Sequence, residues 1–148
     1  MKKFLALAAI ILTAASAKAD TKSLNGAKVN DKAEAHFSDT YKGATGLWNV
    51  DNNYNEVLFF WKDTLMDSFY DKDGNLIGTF HEVTPASLNE KVRSRIASWY
   101  KGYHIVSASI MQRDDIDDVT YVKVASDKHI RILSVDTNGL ITDFQTIR

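Results

Sequence analysis

The chain has no cysteine. That excludes disulfides as a source of stability, thiol nucleophiles and thiolate metal ligands. It also excludes a lipid-modified amino terminus of the bacterial lipobox type. The Gly-x-Ser-x-Gly nucleophile motif is missing as well. No glycine loop of the phosphate-binding kind occurs. The four histidines, His36, His81, His104 and His129, share no metal-ligand spacing, and no pair stands at i, i+4. No cofactor or metal is expected, and no motif states a reaction. Paired carboxylates meeting in three dimensions would be the one route left to hydrolase chemistry.

Basic charge is also scarce. Met1-Lys2-Lys3, the apolar run Phe4 to Ala15 and the small-x-small site Ala17-Lys18-Ala19 read as a secretory signal peptide, residues 1–19. The apolar run is too short to span a bilayer. Removing Lys2, Lys3 and Lys18 leaves 15 basic against 19 acidic residues, a net charge of −4. Nucleic acid and anionic lipid surfaces need a basic footprint, so neither is expected as a partner. The expected product is a soluble periplasmic or secreted chain of about 129 residues, the size of one domain with its own core.

What the chain does contain is an internal echo. Tyr41-Lys42-Gly43 recurs as Tyr100-Lys101-Gly102. Steps of four back from each Tyr meet Phe37, Ala33 and Val29 in one case, Ile96, Val92 and Leu88 in the other. Asp71-Lys72-Asp73-Gly74 with Phe80 is echoed by Asp136-Thr137-Asn138-Gly139 with Phe144. Such offsets predict a tandem pair, about 29–83 and 84–148, behind a flexible lead-in over 20–28.

Each unit reads as one helix followed by four antiparallel strands. The first helix is capped by Asn30 or Asp31, runs to about Tyr41 and ends at Gly43. The second opens at Thr84-Pro85, or at a Ser87/Glu90 capping box, and ends at Gly102. Strands are expected over 45–50, 56–61, 65–70 and 76–83, then over 104–111, 119–125, 129–135 and 140–146. A single helix on four strands buries too little to be stable alone. The fold class is therefore α+β, one pseudo-symmetric domain with both helices on one face of the joined sheet. Phe37, Tyr41, Ile96 and Trp99 are assigned to its core, with Trp48.

The Tyr-Lys-Gly element, Trp48, the strand around Phe59 and the run Tyr70 to Gly78 resemble a group of small exported Bacteroidetes proteins. So do Tyr121 to Val124 and Ile130 to Gly139. These proteins are described as PepSY-like or β-lactamase-inhibitor-protein-like (BLIP-like). The resemblance spans Val29 to Thr146 and implies a non-enzymatic periplasmic domain. Inhibitors of similar fold bind an enzyme through the sheet face and an inserted loop. This sequence lacks their cysteines and any segment matching that loop, so β-lactamase inhibition is not carried over.

The strand Val57-Leu58-Phe59-Phe60-Trp61 is apolar on both faces, although a sheet with helices on one side needs only one apolar face. Either Val57, Phe59 and Trp61 or Leu58 and Phe60 must point away from the helices. The candidate contact residues for a protein or peptide partner, or alternatively a small apolar ligand, are Val57, Phe59 and Trp61, with Asp114 and Asp115 of the acidic loop 113–118. The alternatives are cover by the lead-in, by sheet curvature, or by a second copy in a homodimer. Asp71-Lys72-Asp73-Gly74-Asn75 has its glycine at the fourth place, where a calcium loop needs it at the sixth, and reads as a hairpin turn.

Overall fold

The computed structural model describes residues 23–147, so the expected signal peptide lies outside the described residues. The element order is α1 (Asp31–Thr40), β1 (Gly46–Val50), β2 (Tyr54–Trp61), β3 (Thr64–Asp71) and β4 (Leu76–Val83). A 3₁₀ turn (Pro85–Ser87) follows, then α2 (Glu90–Trp99), β5 (His104–Gln112), β6 (Val119–Ala125), β7 (Ile130–Val135) and β8 (Ile141–Ile147). The eight strands form one antiparallel sheet in sequence order, each paired with the next. β4 and β5 join the halves, from Thr79 opposite Gln112 to Val83 opposite Ala108.

Register decides which side chains share a face, because successive residues of a strand point to opposite sides. Val57 stands opposite Trp48 and Ser68, and Phe59 opposite Met66. These residues pack with Ala33 and Phe37 of α1 into one core cluster. The same face continues through Thr79 and His81 to Ala108, then Val122, Leu133 and Ile141. There it meets Val92 and Ile96 of α2 in a second cluster. Both helices therefore cover the same side of the sheet. Between the clusters the buried hydroxyls of Ser68 and Thr79 satisfy each other at 2.7 Å, and the Tyr41 hydroxyl reaches Thr79 at 3.4 Å.

The helices start where an asparagine can replace the missing turn. The Asn30 side chain accepts from the Lys32 and Ala33 amides, and Asn89 accepts from Lys91. Asn30 was one of two expected caps. For α2 neither expected start holds: Pro85 opens only a 3₁₀ turn, which ends before Asn89 begins the helix. Trp99 is the last residue of α2 and 61% exposed, which corrects its assignment to the core; Tyr100, one residue on, packs against the second cluster instead. The described part of the lead-in is tied down as well. Ser23 bridges to Trp48, the Leu24 amide donates to the Trp48 carbonyl at 2.7 Å, and Asn25 donates to Val50. These bonds occupy the outer edge of β1, which would otherwise present unpaired backbone groups.

Candidate functional site

The face away from the helices has its own pattern. Alternation puts Tyr54, Glu56, Leu58 and Phe60 of β2 there, with Leu65, Asp67 and Phe69 of β3. Across the sheet Asp67 stands opposite Phe80, Phe80 opposite Met111, and Met111 opposite Val119. Aromatic rings line up obliquely across this face. Tyr54 meets Phe69 at 5.9 Å, Phe69 meets Phe80 at 5.6 Å, Phe80 meets Tyr121 at 6.1 Å, and Tyr121 meets Phe144 at 5.2 Å. Met111 closes the gap over β5. Its thioether lies where a side chain at Gly78 would be, since a Cβ there would approach Met111 Cε to 2.5 Å. Gly78 thus lets the apolar stripe pass from β4 to β5 without a break.

Among the described residues no helix lies on this face, and Phe60, Leu65 and Phe144 are 58, 43 and 50% exposed. Large aromatics held in one row by strand pairing form a rigid, amphipathic platform. Such platforms supply contact area at low entropic cost.

One end of the stripe is acidic. Asp67 sits between Leu58 and Phe80, diagonal to Glu56, and has its Oδ1 enclosed with no hydrogen-bond partner. Burial first, and the neighbouring Glu56 charge second, push its carboxyl up to about 7. The Glu56 carboxylate accepts from Asn49 Nδ2 at 3.0 Å. The Tyr54 phenol is raised by burial and then by Glu56, Asp51 and Asp67. Toward the other end the stripe passes Arg113, which donates to the Asp117 carbonyl and lies near Tyr121.

The candidate contact residues fall elsewhere. Val57 and Phe59 are buried under α1, and Phe59 meets Phe37 at 4.8 Å and Tyr41 at 4.5 Å. Trp61 packs against Tyr41 at 5.5 Å on the same side. This corrects the choice between the two faces of β2: Leu58 and Phe60 point away from the helices. Asp114 and Asp115 are exposed in the β5–β6 loop, which turns toward the helix side. There Asp114 lies 3.5 Å from His36 of α1, whose other ring nitrogen meets the Tyr70 hydroxyl at 3.1 Å. The structure does not bring these aspartates together with the strand residues.

Sequence reasoning missed Phe69, Tyr121, Glu56 and Asp67. It recorded Phe80 and Phe144 as an echo without seeing that both stand on the open face. Asp71-Lys72-Asp73-Gly74-Asn75 is a hairpin turn, with Asp71 Oδ1 accepting from the Asp73 and Asn75 amides and Gly74 at φ 80°. Among the described residues no group of three or more His, Asp or Glu side chains is placed to hold a metal ion. No helix among them is long and apolar enough to cross a membrane.

No protein-family model and no curated protein matches the chain. Solved structures do. A DUF2874 family protein from Bacteroides uniformis superposes with a TM-score of 0.69 at 14% identity, over 81% of this chain and 89% of that one. A BLIP-like protein from Bacteroides fragilis gives 0.69 at 15% identity, over 83% and 90%. A Bacteroides eggerthii protein with a provisional description as periplasmic gives 0.67 at 12% identity, over 82% and 89%. At these identities the likeness establishes architecture: the chain has the fold of the BLIP-like and DUF2874 proteins of Bacteroides.

Proposed function

We propose that this protein is an exported, non-enzymatic binding module that holds a protein or peptide partner on the helix-free face of its sheet. The observation that carries the reading is the row Tyr54, Phe69, Phe80, Tyr121 and Phe144, half-buried except for the exposed Phe144 and covered by neither described helix. With Phe60, Leu65 and Phe144 exposed beside it, an apolar row of this length is unfavourable for a monomer unless it serves contact. The sequence leader and the provisional periplasmic description of one structural neighbour support an envelope location. The molecule is built as two tandem helix-plus-four-strand units, and joining them is what makes a face wide enough for the stripe. Restraint of an envelope enzyme is the specific form of this reading suggested by the BLIP-like neighbour.

The contact set is Leu58, Phe60, Phe69, Phe80, Tyr121 and Phe144. Val57, Phe59 and Trp61 support it from beneath, and Asp114 and Asp115 fall outside it. Residues 20–148 used as bait against envelope and secreted fractions test the reading, with Phe60→Ala/Phe144→Ala as a folded control. A protein retained by the native bait and released by the variant supports it. Equal retention by both baits contradicts it. Light scattering decides the rival reading: a tight dimer that the same variant dissociates assigns the face to self-assembly.

A further inference from the structure

The open face is uneven in charge, and that unevenness bears on what it holds. At the β2–β3 end, Glu56 stands opposite Phe69 and Asp67 opposite Leu58, so two carboxyl groups that repel when ionised are diagonal neighbours on the open face. The groups that face them are acidic or neutral. From β2 there is Tyr54, from the β1–β2 turn Asp51, from β1 Asn49, and from β4 Phe80 and, one row away, Glu82. The cations of this face, Arg113 and Lys123, belong to the half beyond β4, Lys123 opposite Ser107 and Ile132. Beside the carboxyl pair stand the rings of Tyr54 and Phe69, 5.9 Å apart. Carboxylate oxygens next to ring faces are the environment a guanidinium or ammonium group prefers, because ion pairing and cation–π attraction add.

We propose that Glu56 and Asp67, flanked by Tyr54, Phe69 and Leu58, form a seat for a basic side chain, and that the occupant of the face is a peptide segment carrying an Arg or Lys between apolar residues. This rests on the reading of the helix-free face as a binding surface and adds the partner's chemistry. The cation is held at the Glu56–Asp67 pair, while its apolar neighbours lie along Phe80 and Met111. Its arrival displaces the proton that burial keeps on Asp67, so binding releases a proton near neutral pH and strengthens as pH rises from 5.5 to 8.

Two probes differing only in charge test the seat: acetyl-Val-Phe-Arg-Phe-Val-amide and the same peptide with citrulline in place of arginine. Each is titrated into the isotope-labelled exported chain and followed by amide shifts. The arginine peptide is expected to perturb Glu56, Asp67 and the stripe, and to bind at least about fivefold more tightly than the citrulline peptide, the scale of one favourable charge contact. Glu56→Gln/Asp67→Asn is expected to erase that preference, with Glu56→Gln alone as a second variant and thermal melts as the check of folding. Equal binding of both peptides on the stripe overturns the seat and leaves the binding face standing. A preference that survives in the double variant, or shifts confined to the acidic loop 113–118, overturns the seat as well. If neither peptide perturbs this face at millimolar concentration, the seat and the underlying binding reading fall together.

Discussion

Asp67 shows at the scale of one residue how an acid on a sheet face behaves when apolar neighbours enclose it. Its protonated form is favoured by folding, because the folded carboxyl titrates at about 7 and an unfolded aspartate near 3.8. The native state therefore binds more protons between those values. The stability this provides is present below about pH 4 and lost as pH rises through 7. The span corresponds to about 4 kcal/mol at its limit. Asp67→Asn is expected to raise the melting temperature at pH 8 and to leave it nearly unchanged at pH 4. Thermal scans at both pH values check this, and an equal shift at both would show that the carboxyl is not the cause.

Val57 and Phe59 make the complementary point. Both are almost fully buried, so Phe59→Ala is expected to cost about 3–5 kcal/mol in urea unfolding. Phe60→Ala, one residue along and 58% exposed, is expected to stay within about 0.5 kcal/mol. The sequence of this strand could not separate the two faces. All five residues from Val57 to Trp61 are apolar, so alternation carries no sign there. The partners that decide it, Ser68 and Met66 on one side and Asp67 on the other, become visible only through register.

At the scale of elements, strands were legible because Asp, Asn and Gly clusters punctuate them, and β4 and β6 run over the expected residues. The start of α2 was not legible. Thr84-Pro85 is a good helix opening in isolation, but Leu88 at φ −60°, ψ 142° is extended and breaks the run before Asn89 caps it. Trp99 lies off the stripe for a separate reason: steps of four from Val92 and Ile96 reach Tyr100, which packs on the second cluster, and not Trp99. The β3–β4 turn illustrates a tighter coupling. Asn30 donates to the Lys72 carbonyl at 3.0 Å, and a Cβ at Gly74 would overlap the Asn30 side chain and come within 2.8 Å of Lys32 Cβ. Gly74→Ala is therefore expected to cost about 2–3 kcal/mol, from the positive φ and the lost cap together. Gly102→Ala, at φ 82° with open space around it, is expected to cost only about 1 kcal/mol. Chemical denaturation of the two variants side by side checks the difference.

For the whole molecule, the two core clusters lie under one continuous sheet, and the β4–β5 ladder is their main connection. The His36–Asp114 contact is a second tie, from α1 to the β5–β6 loop. Each half alone would expose an edge and bury too little surface to offset its chain entropy. Fragments 23–83 and 84–148 are expected to be unfolded by circular dichroism when separate, and the full chain to unfold in one transition. Two resolved transitions in the full chain would contradict this. The antiparallel sheet and its two helices were readable, because turn and cap residues carry their conformation locally. The stripe was not readable, because it is assembled from five strands whose stagger no local pattern encodes.

The proposed contact with a partner lies on the helix-free face of the sheet. The most direct measurement is photocrosslinking in the envelope of the cells that make it, with a benzophenone amino acid placed singly at Phe60, Phe144 or Trp99. All three positions are exposed, the first two on the open face and the third on α2. Specific adducts from positions 60 and 144, with none from 99, are the predicted result. Adducts from position 99 alone would place the contact on the helix side and contradict the account.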